Sequence, residues 1–577
     1  MTENKEGEKL VIPEKNFDLK SSETVKFIPE NDSKNGLSPV SFDTVKTAFT
    51  GLTKEELMKY VNDPFWVRVR WVLFILFWLI WLIMLLGAIL IIIVTPKCQE
   101  PSTMLWWQRS PLYTMDIQKL IPESSTNNNS LIDILKNKIN YLKELGIESV
   151  LLKSVLFSKN GAYDEVLNFT NVDYNLQSVN IFHNEIINYA KSKGIHIILS
   201  FVPNYSGKND MFIRSSLGEE EYKDYYIWYK ANYSSKPEKL PNNWLSVYDT
   251  PAWEWDDIRK QFYLHQFNAT QPDFNFRNPN VVDFFSNVLK FWMNLGISGF
   301  HLDKTEYLLE NNEFEDENVG RDAKYNLKQY GFYTHSKTFE LPENTVILDK
   351  WSKLLKNNSN ILIVSGGILD KKDIANFVLR PILLSPNFSA NEINEKILRW
   401  KNAVNYPTWE WKCSQLHTQC YQKSVIDALT IVTFFLPGIP VMFDEGFVIN
   451  EKQLKDTNTT LFPTSQSHDN ILKKLIEMRK LPAFSFGDFI SKVLNETIYT
   501  FVRVKQGTPG YLVAWNLSKN TTTINFEQYF PVIPEDLILI LKSNSIIDNN
   551  LKDRIPSSKV EIPSMAAYIF SFVPNLK

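Results

Sequence analysis

The three cysteines are the most reactive side chains in the sequence: Cys98, Cys413 and Cys420. A thiolate can form a disulfide, bind a metal or act as a nucleophile. Cys413 and Cys420 stand seven residues apart, and an internal bridge closing that short loop is the expected pairing. His417 lies between them, but two thiols and one imidazole make an incomplete zinc set, so neither a metal nor another cofactor is expected. If those two pair, the odd count leaves Cys98 without an internal partner. A second arrangement, Ser467-His468-Asp469-Asn470, has the residue types of acid–base catalysis. It opens the helical run ILKKLIEMRK, where Ser and Asp act as caps, and is read as a helix start. Acceptor motifs for N-glycosylation occur at Asn128, Asn168, Asn204, Asn232, Asn268, Asn357, Asn387, Asn458, Asn495, Asn516 and Asn520.

The elements that place these groups begin with one uncharged stretch. Residues 71–94 read WVLFILFWLIWLIMLLGAILIIIV. These roughly 24 residues reach about 36 Å as a helix, enough to cross a ~30 Å hydrocarbon layer. The rest of the chain is ordinary: 577 residues, a net charge of −3 and 44% hydrophobic residues. Near-neutral charge argues against a nucleic-acid partner, and a mean hydropathy of −0.22 argues against several spans. Lys54, Lys59, Arg68 and Arg70 precede the stretch closely, against Lys97 and Arg109 after it, which favours an inside N-terminus. The acceptor motifs above and all three cysteines follow the stretch, as suits an outside location. The expected organisation is a disordered cytoplasmic tail (1–48), an amphipathic juxtamembrane helix (49–70), the span (71–94) and an extracellular neck (95–110).

Beyond the neck, helical and strand patterns alternate. Helices near Leu131–Leu145, Val179–Lys193 and Val281–Leu295 precede the apolar runs Glu148–Leu152, His196–Phe201 and Gly299–Leu302, and Ile361–Val364 is a further strand. Such alternation predicts βαβ units and a (β/α)8 TIM barrel over 111–485, with functional groups at the strand C-termini. Residues 206–270 are aromatic-rich and read as an inserted subdomain. Residues 486–577, with short alternating strands such as Thr497–Val504 and Tyr511–Trp515, predict an antiparallel β-sandwich.

Two sets of motifs carry a resemblance. The run FTGLTKEELMKYVNDPFW, the uncharged stretch after it, and WWQRSPLY at 106–113 resemble the membrane segment of the heavy subunit of heteromeric amino-acid transporters, the solute carrier family three glycoproteins. From about Trp106 onward the chain resembles the α-amylase/α-glucosidase family through DYYIWYK (224–230), PNNWLSVY (241–248), QPDFNFRNP (271–279), GFHLDKTEYLLE (299–310) and FFLPGIPV (434–441). The first resemblance implies that Cys98, four residues beyond Val94, forms a disulfide with a polytopic transporter light chain. A free thiol, a palmitoylated cysteine or a homodimer bridge are the alternatives. It further implies an accessory role at the plasma membrane as a type II glycoprotein, promoting light-chain stability, trafficking and transport. A single span offers no solute pathway of its own.

The second resemblance implies a place for glycoside chemistry, which needs a nucleophilic carboxylate and a protonated acid. Asp303 matches the nucleophile position, but His301 replaces the customary Arg. Gly366 and Gly367 stand where the acid Glu is expected, and Asp370 comes about one helical turn later. The third-strand Asp and His are replaced in Ser200-Phe201-Val202-Pro203-Asn204-Tyr205, and no His-Asp pair follows Pro407-Thr408-Trp409. The tyrosine-glycine-acid turn is shortened to Met442-Phe443-Asp444-Glu445-Gly446. These losses leave no general acid, so Asp303 is expected to be vestigial and the barrel inactive. A membrane-anchored α-glucosidase is the competing reading, and an adhesion glycoprotein a third.

Overall fold

The computed structural model describes residues 54–94, 104–121, 130–230, 239–321, 324–367, 373–413, 423–443, 448–449, 466–543 and 553–575. For 413, 423, 448–449 and 466–471 it describes the backbone alone. The chain divides into two units, Met1–Pro101 and Ser102–Lys577.

In the first unit a short helix, Lys54–Lys59, precedes a 31-residue helix, Pro64–Val94. The long helix starts seven residues before the uncharged stretch. Pro64 fits the first helical position, and the Asp63 carboxylate accepts from the Phe65 backbone N–H at 2.9 Å. Arg70 folds back, its guanidinium donating to the carbonyls of Tyr60 and Val61 at 2.9 and 2.8 Å, so its charge stays with the preceding turn. Over an 18-residue window the helix has a mean hydropathy of 3.0 and no buried residue.

The second unit is built on a nearly closed parallel barrel. Its strands are β1 (Leu112–Asp116), β2 (Ser149–Lys153), β3 (His196–Phe201), β4 (Gly299–Leu302), β5 (Ile361–Val364), β6 (Phe377–Val378), β7 (Thr408–Trp409) and β8 (Ile439–Phe443). They pair in the order β6-β5-β4-β3-β2-β1-β8-β7. Between β6 and β7 there is no ladder. The Thr408 hydroxyl donates to the Val378 carbonyl there at 2.7 Å. Further along, Ile382–Leu384 and Trp411–Cys413 pair in parallel and close the seam.

The helices that space these strands follow from local chemistry. Ser130 caps Leu131–Leu145, accepting from the Asp133 N–H, and Gly146 ends it in the left-handed region. Pro279 occupies the first turn of Pro279–Asn294, behind the Asn278 cap. Inside the barrel, Leu112, Leu151, Ile198, Ile363 and Val441 form part of one apolar cluster. That cluster fills the floor and leaves polar residues for the C-terminal mouth.

Within the aromatic-rich region expected to be an insertion, Trp228–Tyr229, Trp253–Asp256 and Gln261–Leu264 form a three-stranded antiparallel sheet. The C-terminal region forms a six-stranded antiparallel sheet and a separate two-stranded pair, Thr522–Ile524 with Val560–Ile562. Its junction with the barrel holds two buried guanidiniums. Arg503 donates to the carbonyls of Phe435, Phe484 and Gly487, and Arg479 to those of Phe434, Leu436 and Gly438. They satisfy carbonyls at and beyond the end of helix Lys423–Phe435 and, through Arg503, others around the short helix Pro482–Phe486.

Candidate functional site

Asp303 follows β4 directly, its N–H donating to the Phe201 carbonyl of β3 at 2.9 Å. One carboxylate oxygen accepts from the Lys304 backbone N–H at 2.9 Å. The other accepts from the Tyr163 hydroxyl at 3.3 Å. Tyr163 lies 2.7 Å from the Ser200 hydroxyl, which lies 2.8 Å from His301 Nδ1. Thus His301 meets Ser200, and Tyr163 links that pair to the carboxylate. His301 Nε2 is buried without a hydrogen-bond partner.

Burial pushes the His301 pKa down to about 4, so the ring is neutral at pH 7. Burial also works to raise the Asp303 pKa, but nearby positive charge brings it below the usual carboxylate range. His301, which charges in the same acid range, supplies the largest part of that charge, followed by Lys153 and Lys304. Lys304 adopts a left-handed backbone, φ 57°, uncommon for a residue with a side chain. Its ammonium donates to the Tyr205 hydroxyl, lies 3.8 Å from the Asp164 carboxylate and sits 4.1 Å from the Phe267 ring centroid. A cation held beside Asp303 thus already has partners within the chain.

The acid position after β5 has no side chain. A Cβ on Gly366 would come within 3.2 Å of both Glu306 and Glu340. Gly367 has φ +78°, and a Cβ there would lie 2.7 Å from the Thr305 carbonyl. Packing and backbone conformation both favour glycine here.

The mouth nevertheless holds two carboxyls that the sequence reading missed. Glu306 accepts from the Ser365 hydroxyl at 2.6 Å, and burial raises its pKa. Glu410, directly after β7, is 7% exposed and is likewise raised by burial. The Asp303 charge adds to both shifts. Both shifts run toward the protonated form, the direction a general acid would need. The nearest sequence signals were the placement of Glu306 three residues past Asp303 and of Glu410 directly after Trp409.

Of the other expected groups, Asn204 and Asn516 are buried, 1% and 0% exposed. A glycan cannot be accommodated there, so these two leave the list of acceptors. Asn168, Asn268, Asn357, Asn387, Asn495 and Asn520 are exposed. Asn128, Asn232 and Asn458 lie outside the described residues, as do Cys98, Cys420, His417 and Asp370. Cys413 ends the strand Trp411–Cys413. The Ser467-His468-Asp469-Asn470 run falls in the first turns of helix Gln466–Arg479.

Comparisons with known proteins fit this geometry. The family model described as alpha amylase, catalytic domain, matches residues 125–381. The model described as solute carrier family 3 member 2 N-terminus matches residues 38–113. The amino acid transporter heavy chain SLC3A1 of Rattus norvegicus is 28% identical over 459 residues, covering 73% of this chain and 66% of its own length. The salivary alpha-glucosidase of Aedes aegypti is 30% identical over 274 residues, 45% of this chain and 47% of its own. In both cases the match spans less than two thirds of the relative. The crystal structure of the alpha-glucosyl transfer enzyme XgtA superposes with a TM-score of 0.65 at 17% identity, over 81% of this chain and all of that one. That likeness establishes the fold.

Proposed function

We propose, for a chain that joins the N-terminal segment of solute carrier family 3 to an α-amylase-type barrel, that it is the accessory heavy subunit of a heteromeric amino-acid transporter. In this reading Cys98 bonds a polytopic light chain, and the barrel stands outside the cell as a glycosylated domain. The chain stabilises its partner and brings it to the plasma membrane. The observation that carries the reading is the helix Pro64–Val94, with a mean hydropathy of 3.0 and no buried residue in its most apolar window. It is the one candidate span among the described residues, and one span provides no pathway for a solute, so in this reading transport belongs to a second protein. The emptied acid position supports a role other than hydrolysis. The test is a gel of cell membranes with and without reductant. Wild type should run as a high-mass species that reductant collapses, and Cys98→Ser should run as a monomer throughout. A wild-type monomer without reductant would overturn the disulfide.

A second reading, a membrane-anchored α-glucosidase, is favoured by Asp303, Glu306 and Glu410 sharing one mouth and by the glucosidase relatives. It requires Asp303 to attack the anomeric carbon while one of the two glutamic acids protonates the leaving oxygen. Maltose hydrolysis by the full-length protein, abolished by Asp303→Ala, would establish it and displace the first reading.

A further inference from the structure

The seam at which β6 and β7 fail to pair adjoins a cavity of about 600 Å³. It lies between the β6 edge and the helix Ala390–Ala403, reaching Ser365 and Gly366 at one end and Asn405 and Tyr406 at another. Lys396, Arg399, Trp400 and Ala403 line it from that helix, at a spacing that places them on one helical face. On the opposite side of the helix's contacts, Ser491 of the C-terminal sheet donates to Asn394 at 2.8 Å, and Lys401 lies over the Phe489 ring at 6.0 Å. The helix is thus anchored to that sheet as well as to the barrel.

The volume falls in the range of small-molecule pockets, and the wall has their mixed composition. Phe377, Val378, Trp400 and Val404 supply apolar and aromatic surface, while Arg380, Lys396 and Arg399 supply cations. Against these three stands one lining carboxylate, Glu340, 3.4 Å from Arg380. Lys396 pairs with Glu392 at 2.9 Å. Arg399 has no carboxylate within ion-pairing distance among the described residues. The cavity therefore has an apolar body and an excess of positive charge. A planar guanidinium matches a carboxylate through two parallel hydrogen bonds.

We propose that this cavity binds an aromatic carboxylate, its ring against Trp400 and Phe377 and its carboxylate on Arg399. The proposal does not rest on the transporter reading; the cavity borders the mouth at Ser365, Gly366 and Gly367, but the groups invoked for binding lie on the helix Ala390–Ala403 and at Phe377. The probe is 2-naphthoate, titrated calorimetrically into the full-length protein in lipid nanodiscs. Empty nanodiscs correct for partition into lipid, and 2-naphthamide serves as the neutral analogue. Naphthoate should bind at least ten-fold more tightly than the amide. Arg399→Gln should remove that ten-fold preference and Arg399→Lys should keep part of it. Arg399 is exposed, so neither change threatens the fold. Heat equal to that of empty nanodiscs overturns the proposal, as does equal affinity for acid and amide, or an unchanged affinity in Arg399→Gln.

Discussion

The helix Pro64–Val94 and the mouth of the barrel treat their side chains in opposite ways. The helix exposes large apolar residues along its length, and nothing described in the chain covers them. The mouth gathers charged groups and supplies many of their partners from the same chain: Tyr163 for Asp303, Ser365 for Glu306, Tyr205 and Asp164 for Lys304. Exposed apolar surface is stable only against lipid or another protein, so the helix depends on surroundings outside the chain. The mouth is largely self-satisfied, as a structural polar cluster would be. An active site more often leaves a charged group waiting for substrate.

The sharpest way to probe internal satisfaction is the junction, where buried guanidiniums bond several backbone carbonyls. Arg503→Met removes the donors to the carbonyls of Phe435, Phe484 and Gly487 while keeping an apolar stem. Stranding buried carbonyls costs about 1–3 kcal/mol apiece before relaxation, so a total loss of about 3–5 kcal/mol is expected in chemical denaturation of the full-length protein. A loss below about 1 kcal/mol would show that water replaces the guanidinium. The corresponding change in the apolar helix Pro64–Val94 is Leu82→Arg, near the middle of its uncharged stretch. A central arginine costs about 2.5–3.5 kcal/mol of insertion, and the fraction extracted from membranes by alkaline carbonate should rise. No rise would mean that a partner shields the new charge.

A third experiment uses a buried carboxyl seven residues past Asp303. Burial pushes the Glu310 pKa from 4.5 up to about 7, despite Arg277 nearby. The folded state therefore holds the proton more tightly than the unfolded chain. Its contribution is fully present below pH 4.5 and is lost as pH rises to 7, about 3 kcal/mol over that interval. His301 works in the opposite sense. Its pKa falls from 6.5 to about 4, so its contribution is present above pH 6.5 and is lost toward pH 4. The two slopes offset one another in the wild type. Glu310→Gln should expose the histidine slope, with stability climbing by about 3 kcal/mol between pH 4 and pH 6.5. An unchanged pH profile would mean that Glu310 is ionised in the folded protein.

How far these features were legible depended on whether local pattern or distant packing decided them. Leu131–Leu145 was readable as a helix from its apolar spacing, and Ser130 and Gly146 cap its two ends in the structure. Strands β3, β4 and β5 were readable as short, mostly apolar runs following helical patterns, and β5 is apolar throughout. Strands β6 and β7 were not, because two residues carry no period and only their neighbours in β5 and β8 define them. In the mouth, Asp303 was legible through its motif. Glu306 and Glu410 were not, since their burial comes from strands far apart in sequence. The same reason hid the burial of Asn204 and Asn516, whose motifs look like any exposed acceptor.

The smallest effect expected is also the one that most directly tests a vestigial reading. Asp303→Asn keeps the shape of the side chain and removes its charge. The amide oxygen could still accept from the Lys304 N–H, and the Tyr163 hydroxyl would have to turn and accept from the amide NH2, while Lys153 and Lys304 would lose a nearby carboxylate. A nucleophile cannot survive this change, but a structural acceptor can, at a cost of about 1–2 kcal/mol. Because the folded pKa of Asp303 is depressed, the lost stability belongs to pH above the ordinary carboxylate value, and wild type and variant should converge in acid. If the mouth serves only the fold, the variant should form the Cys98-dependent high-mass species as fully as wild type. If it serves hydrolysis, the stability change should stay as small while maltose turnover vanishes.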